Sequence, residues 1–408
     1  MNKTKNQYIN REISWLMFND RVLQESADKN VPLIERLRFL GIFSNNLDEF
    51  FKVRYATIKR IVLAGKKGKS ALGGEKAKDL LAEITKIVIE QQSKSLVIHG
   101  DIEKELEGEG IFLINEKEVS ESQAKFVKNY FIEKVSPLLM TIVLNDLNQF
   151  PLLKDTEAYL AIKMVLNETE KDQKNQRTRK IRYALIEIPQ GTDRFVVLPS
   201  EGNKDYIIIL DDLIRFCLDR IFPMFEYESI SAHMIKITRD AELDIDNDLS
   251  KTFIEKISSS VQGRKISDPV RFVYDKRIGR DTLEFLKGKM GIKDTDSVIP
   301  GGRYHNRRDY MSFPSLGRQD LMYEKITPLP VKGLSLEGSL LERIAEKDYL
   351  MYAPYHTFSY IIKFLREAAL DPKVKSIKIT VYRLAKNSQV AASLINAVKN
   401  GKKVTMQI

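Results

Sequence analysis

The spacing of apolar positions changes along this chain, and each change marks a region. Up to about residue 108 apolar side chains recur every three to four positions, the pattern of amphipathic helices. Trp15, Phe18, Val22 and Leu23 share one helical face. Pro32 is well placed to open a second helix, where its missing N–H costs nothing, and Leu33, Leu37 and Leu40 extend its stripe. A third helix is expected to begin near Asn46, with Leu47, Phe51, Ile58 and Val62 along one side. AGKKGKSALGG (64–74) reads as a basic, glycine-rich connector. A long helix from Glu75 to about Leu106 follows, with Leu80, Leu81, Ile84, Ile87 and Val88 as its stripe.

From about residue 110 the pattern becomes mixed. IFLI (111–114) is a short strand, and Ser120 with Gln123 forms a capping box for a helix through Val135. YLAIKMVL (159–166) and RYALIEIP (182–189) alternate as paired strands do, with the charged NETEKDQKNQRTRK (167–180) as hairpin tip. RFVVLP, YIIIL, HMIKITR and VRFVY add strands, interrupted by helices at 211–221, 249–262 and 281–290. This describes an α+β domain on a largely antiparallel sheet. ITPLPVKG (326–333) is a proline-punctuated linker. Beyond it, DYLMYA (348–353), PYHTFSYIIKFLREAAL (354–370), IKITVYR (377–383), KNSQVAASLINAVKNG (386–401) and KVTMQI (403–408) read as βαβαβ. That order implies a parallel sheet with right-handed crossovers, whose ligands sit beyond the carboxyl ends of the strands. The expected domains are therefore an all-α region (1–108), an α+β region (109–325) and an α/β region (326–408). Ile408 falls inside an apolar strand, so the last domain is expected to be present only in its first half.

Composition narrows the partners. The net charge of +10 favours anionic ligands: nucleic acid, acidic lipid or polyphosphorylated molecules. The single Cys217 excludes a disulfide framework, suggests a reducing compartment, and sits in a helical pattern as a buried small hydrophobe. The first ten residues lack the apolar core of a signal peptide, and no apolar run reaches the ~18 residues of a membrane span. A soluble, cytoplasmic protein is expected.

Several stretches invite chemistry. GKKGKS resembles a phosphate loop, but Leu63 occupies the position of the required first glycine and the segment follows a helix. It reads as a solvated basic loop. DIDNDLSKTFIE (244–255) approaches a calcium loop, with Leu249 where the sharp turn needs glycine; an Asp capping the following helix is the simpler reading. His99, His233, His305 and His356 show no metal-ligand spacing. His305 and His356 read as structural or surface groups. In GGRYHNRR (301–308) glycines permit close backbone approach while arginines and a histidine offer donors to an anion, but a solvated basic turn is the default reading. Asn46, followed by Asp48 and Glu49, fits a helix N-cap. Arg383 closes a strand ahead of a loop and a helix N-terminus, a placement suited to phosphate.

NREISWLMFNDRVLQESADKNVPLIERLRFLGIFSNNLDEFFKVR (10–54), SVIPGGRYHN (297–306), YAPYHTF (352–358) and IKITVYRLAKNS (377–388) together resemble class-1 polyphosphate kinase. TRDAELD (238–244) and PVRFVY (269–274) support the resemblance, which runs from about Tyr8 to the end. It implies a multidomain architecture: an all-α N-terminal domain, an α+β head domain, and the truncated start of an α/β phospholipase-D-like catalytic domain. It implies reversible transfer of the ATP γ-phosphoryl to the end of an inorganic polyphosphate chain through a phosphohistidine. Residue by residue, Asn46 resembles the family's N-terminal contact to ATP, and Arg383 the first of two arginines associated with Mg²⁺ and phosphate. A guanidinium has no lone pair for a metal, so Arg383 is assigned to phosphate oxygens. No nucleophilic role is carried to His305 or His356; the family's phosphohistidine position would lie beyond Ile408, so the chain as given is expected to be inactive alone. The resemblance further implies ATP, ADP and polyphosphate as ligands rather than nucleic acid, a homo-oligomer through the head domain, and room for peripheral membrane association. The alternative is a non-catalytic module that binds polyanions or assembles with other chains. A phospholipase-D-type nuclease or lipase is more distant, because its His-x-Lys signature is absent.

Overall fold

A computed structural model describes residues 8–63, 77–147, 149–155, 157–171, 177–239, 269–292, 297–385 and 387–407. The basic connector, the calcium-like segment and the expected helix at 249–262 lie outside these residues. The chain forms two compact units, 1–323 and 324–408.

The first unit begins with α1 (Arg11–Ala27), capped by the Asn10 side chain on the Glu12 N–H. Next comes α2 (Leu33–Phe50), which runs without a break into a wider π turn (Phe51–Tyr55) and α3 (Ala56–Leu63). No helix starts at Asn46, so the N-cap expectation is overturned. The stripe of Leu33, Leu37 and Leu40 continues in phase through Phe43, Leu47 and Phe50, all buried. The Asn46 side chain bonds across to α1 instead of to its own backbone, so nothing competes with the helix there. The π turn adds a residue and lets both Phe50 and Phe51 face inward. With α4 (Ala77–Gly108) these helices enclose one core.

The α+β part follows. β1 (Ile111–Ile114) precedes α5 (Glu121–Tyr130), whose Ser120–Gln123 capping box forms as expected. β2 (Met140–Val143), β3 (Ala158–Lys171), β4 (Arg177–Glu187), β7 (Tyr227–Arg239), β8 (Pro269–Asp275) and β9 (Ser297–Gly301) form a six-stranded sheet in the order β2-β4-β3-β7-β8-β9. Its pairings are antiparallel except β8–β9. β3 and β4 make the expected hairpin, longer than the alternation suggested. β5 (Phe195–Val197) and β6 (Asp205–Ile209) join β1 in a separate sheet, and α6 (Leu210–Phe216) and α7 (Leu218–Ile221) follow directly. Cys217, at their junction, is fully buried, and burial pushes its thiol up to about 12. It is inert at neutral pH. α8 (Arg280–Met290) closes against β3 and β4: Tyr183 of β4 stacks on Phe285, and Lys163 of β3 pairs with Asp281 at 2.5 Å.

The second unit contains α9 (Leu340–Glu346), α10 (Ser359–Leu370), β10 (Ser376–Thr380), α11 (Gln389–Lys399) and β11 (Lys403–Gln407). β10 and β11 pair in parallel across the α11 crossover. The expected first strand, 348–353, does not form. Tyr349 and Met351 satisfy their alternation by packing on Val331, Leu334, Leu340 and Tyr360 rather than by joining a ladder. Nor does α10 begin at Pro354. The His356 and Thr357 amides bond to the carbonyls of Tyr352 and Leu329, which holds 354–358 as a turn. The order is αβαβ.

Candidate functional site

Two polar constellations deserve comparison. The first lies inside the first unit, where α2 meets the sheet. The buried Asp48 accepts Lys236 Nζ of β7 at 2.5 Å and Arg271 Nη1 of β8 at 3.1 Å. Lys236 also donates to Asn306 Oδ1 at 2.7 Å, and Arg271 lies 4.5 Å from the Phe51 ring centre. Burial lowers the pKa of Lys236, an effect that the Asp48 carboxylate opposes. Asn306 Nδ2 donates to Asp309, which also takes Arg194 Nε at 2.8 Å.

GGRYHNRR is therefore neither a solvated turn nor an open anion site. Arg303 is held by Asp212 and Glu116, and Arg307 donates to Ser95 of α4 at 2.8 Å. The glycines do permit close approach, but to a helix: a Cβ on Gly302 would stand 2.7 Å from Leu96 Cδ2. His305 donates Nδ1–H to the Gly302 carbonyl at 3.0 Å, and its Nε2 is sealed from solvent without a partner. Burial drives its pKa down to about 3, so it stays neutral and structural. His356 is also structural: its Nδ1 accepts the Tyr352 N–H at 2.9 Å.

Asn46 sits near this seam, half-buried, with its orientation set by a short relay. The Phe43 carbonyl can only accept, so buried Asn19 must offer it Nδ2, at 3.2 Å. Asn19 Oδ1 then accepts Asn46 Nδ2 at 3.0 Å. This leaves Asn46 Oδ1 and one N–H not used by this relay. Asn19 escaped sequence reasoning because its role depends on a contact across two helices.

The second constellation belongs to the second unit. Arg383 is exposed, three residues past the end of β10 rather than at its last position. The ladder stops once the Val381 N–H reaches the Gln407 carbonyl at 2.9 Å. Arg383 lines an open cleft of about 1020 Å³ together with Lys363 and Arg366 of α10 and the first residues of α11. There Ser388 accepts the Ala391 N–H as N-cap. Among the described residues no carboxylate pairs with Arg383. Arg366 donates to Gln389 at 3.2 Å, while Lys363 lies 3.3 Å from Glu367. Glu367 Oε2 accepts from the Ser339 hydroxyl and from the Leu340 and Leu341 amides, which keeps its carboxyl below the usual range despite burial. Lys363 and Arg366 were missed in the sequence, although their spacing of three on an amphipathic helix was a usable signal. Asn46 and Arg383 belong to different units.

Comparison with known proteins matches this chain to family models along most of its length. Residues 8–114 match the polyphosphate kinase N-terminal domain, 122–313 the middle domain and 339–408 the C-terminal domain 1. A polyphosphate kinase of Vibrio parahaemolyticus is 42% identical over 406 residues, covering 98% of this chain and 56% of the relative. One from Yersinia pestis is 41% identical over 406 residues, covering 98% of this chain and 57% of its own length. The crystal structure of polyphosphate kinase from Porphyromonas gingivalis superposes with a TM-score of 0.74 at 31% identity, over 99% of this chain and 56% of that one. The chain thus spans a little over half the length of these relatives. The helical region with its mixed sheets, the αβαβ unit and these matches agree, and the chain belongs to the polyphosphate kinase family.

Proposed function

We propose that this chain supplies nucleotide- and phosphate-holding residues to a polyphosphate kinase, which moves the γ-phosphoryl of ATP reversibly onto the end of inorganic polyphosphate through a phosphohistidine. One observation carries the reading: Arg383, without a carboxylate partner among the described residues, faces a cleft shared with Lys363, Arg366 and the N-terminus of α11. In-line phosphoryl transfer spreads charge over the equatorial oxygens, and preorganised cationic donors stabilise that charge. Asn46 is the ATP contact in this reading. Its free carbonyl and N–H match the donor and acceptor pair on an adenine edge.

Magnesium, which the family resemblance implies, does not fit this cleft as a protein-held ion. Glu367 is the one carboxylate among the described lining residues, and its Oε2 is already taken by three donors. Arg383 therefore serves phosphate oxygens, and no step is derived through the metal. The αβαβ order supports reading 326–408 as part of a phospholipase-D-like catalytic domain, after an N-terminal domain (1–108) and a head domain (109–325). The same reading makes the protein a cytoplasmic homo-oligomer that associates through the head domain.

Extended to the length of its relatives, the chain is expected to form polyphosphate from ATP. Arg383→Ala should lower that turnover by about 100-fold, the scale of losing one transition-state donor. Absence of polyphosphate synthesis by the unaltered extended chain would remove the reading. Unchanged turnover in Arg383→Ala would remove the role assigned to Arg383.

A further inference from the structure

A second cavity, of about 500 Å³, lies in the first unit between the α6–α7 corner, β7 and the turns that follow β1, β8 and β9. None of the residues in the proposed kinase site lines it. Its wall has two chemical halves. Phe216, Tyr227 and Ile230 form an apolar side, and Arg215, Arg277 and His233 a nitrogen-rich one.

The nitrogen-rich side has unused donors. Arg215 is 7% exposed; it gives Nη1 to Asp212 at 2.6 Å and Nε to the Ala232 carbonyl at 3.1 Å. Its Nη2 is buried with no acceptor. A sealed guanidinium N–H without a partner is costly, so its retention needs a reason. Arg277 grips Asp275 with Nε at 3.1 Å and Nη2 at 2.9 Å, which leaves Nη1 over. His233 Nδ1 faces the same carboxylate at 3.4 Å, so Nε2 occupies the other edge of the ring. Burial would raise the Asp275 pKa, but the hydrogen bonds from His233 and Arg277 outweigh it and hold the group ionised. Two carboxylates also line the cavity. Glu116 is already engaged by Arg303, and Asp219 is exposed.

We propose that this cavity binds a phosphorylated ligand with a flat apolar body, of the nucleotide class. Its phosphate takes the Nη1 donor of Arg277 and, once the ligand parts the side chains that cover it, the Nη2 donor of Arg215, and its ring lies against Phe216, Tyr227 and Ile230. The volume suits a small ligand. A bare phosphate chain would leave the apolar half without a partner, and a neutral aromatic would leave those arginine donors unused.

The test must silence the other nucleotide site first. The full chain carrying Asn46→Ala and Arg383→Ala is titrated calorimetrically with ADP, with adenosine and with inorganic phosphate. The expected result is one remaining ADP site, tighter than either fragment. Arg277→Glu should weaken it at least tenfold and Tyr227→Ala several-fold. Arg277 lies at the surface, and a melting curve checks its fold; should that variant not fold, Tyr227→Ala decides alone. No ADP binding in this background, binding indifferent to the cavity variants, or phosphate bound as tightly as ADP would each overturn the proposal. The effect of Asn46→Ala and Arg383→Ala on the unaltered chain reports only on the kinase reading, so the two can fail separately.

Discussion

Two arginine-bearing segments look alike in sequence and serve opposite ends in the fold. In residues 301–308 each basic group described above has an internal partner: Arg303 has Asp212 and Glu116, Arg307 has Ser95, and Asn306 bridges Lys236 to Asp309. At residue 383 a single arginine stands exposed at the mouth of a cleft, and no carboxylate among the described residues pairs with it. The count of positive charges does not distinguish them. What does is whether acids were supplied at long sequence distance, and Asp48 lies 188 residues from Lys236. A buried charge must be paired to be tolerated, whereas a surface charge can be kept for a ligand.

The strongest way to break this contrast is to remove an internal partner. Asp48→Ala leaves Lys236 and Arg271 buried together without their anion. Removing one member of such a cluster costs about 3–5 kcal/mol, to be read from urea unfolding of the full chain. A loss under about 1 kcal/mol would mean that the cations relax to water and that the seam is not held by this carboxylate.

A smaller effect concerns His305, the neutral member of the same segment. Its pKa is about 3 in the folded chain against an ordinary 6.5. Between these values the unfolded chain binds a proton that the folded chain refuses. Stability is therefore full above pH 6.5, falls as pH drops, and levels near pH 3. At pH 4 the difference is on the order of 3 kcal/mol. His305→Asn keeps a donor for the Gly302 carbonyl and removes the titration, so its stability profile should be flatter between pH 6.5 and 4. Asp275 acts in the same direction, but only below the ordinary Asp value of 3.8, which leaves the upper window to the histidine. Parallel profiles for the two chains would show that His305 is hydrated and protonates freely.

Local signals were legible and long-range partners were not. The helical stripes, the Ser120–Gln123 capping box, the β3–β4 hairpin and the buried Cys217 each depend on neighbours within a few residues or on one repeating period. The break expected at Asn46 failed because its cue, an Asn followed by acids, is identical to that of an N-cap. Only Asn19 on another helix shows which role the amide plays. The strand expected at 348–353 failed for a related reason: alternation reports a half-buried segment, not whether another strand is available to pair with it. GGRYHNRR was misjudged because its acids, at Asp212 and Glu116, are remote in sequence. The exposure of Arg383 near a strand end could be read locally, because a side chain without a carboxylate partner among the described residues needs no distant residue to define it. Its position slipped three residues beyond the strand because the ladder runs out before the apolar run does.

Arg383→Ala gives the smallest expected change in stability and so sharpens the contrast from the other side. The side chain is exposed, lies near the Tyr382 ring at 5.7 Å, and has no carboxylate partner among the described residues. Surface substitutions of this kind stay within about ±0.5 kcal/mol. Removing one of the cleft's cations also relieves its repulsion with Lys363 and Arg366, a small gain that low salt enlarges and 0.5 M salt screens. The variant should therefore unfold at the same denaturant midpoint in high salt and at an equal or slightly higher one in low salt. Inorganic triphosphate should raise the midpoint of the unaltered chain more than that of the variant, because a ligand stabilises only the state that binds it. A midpoint that falls by more than about 1 kcal/mol in both salts would make Arg383 another internally satisfied arginine, and the distinction between the two segments would disappear.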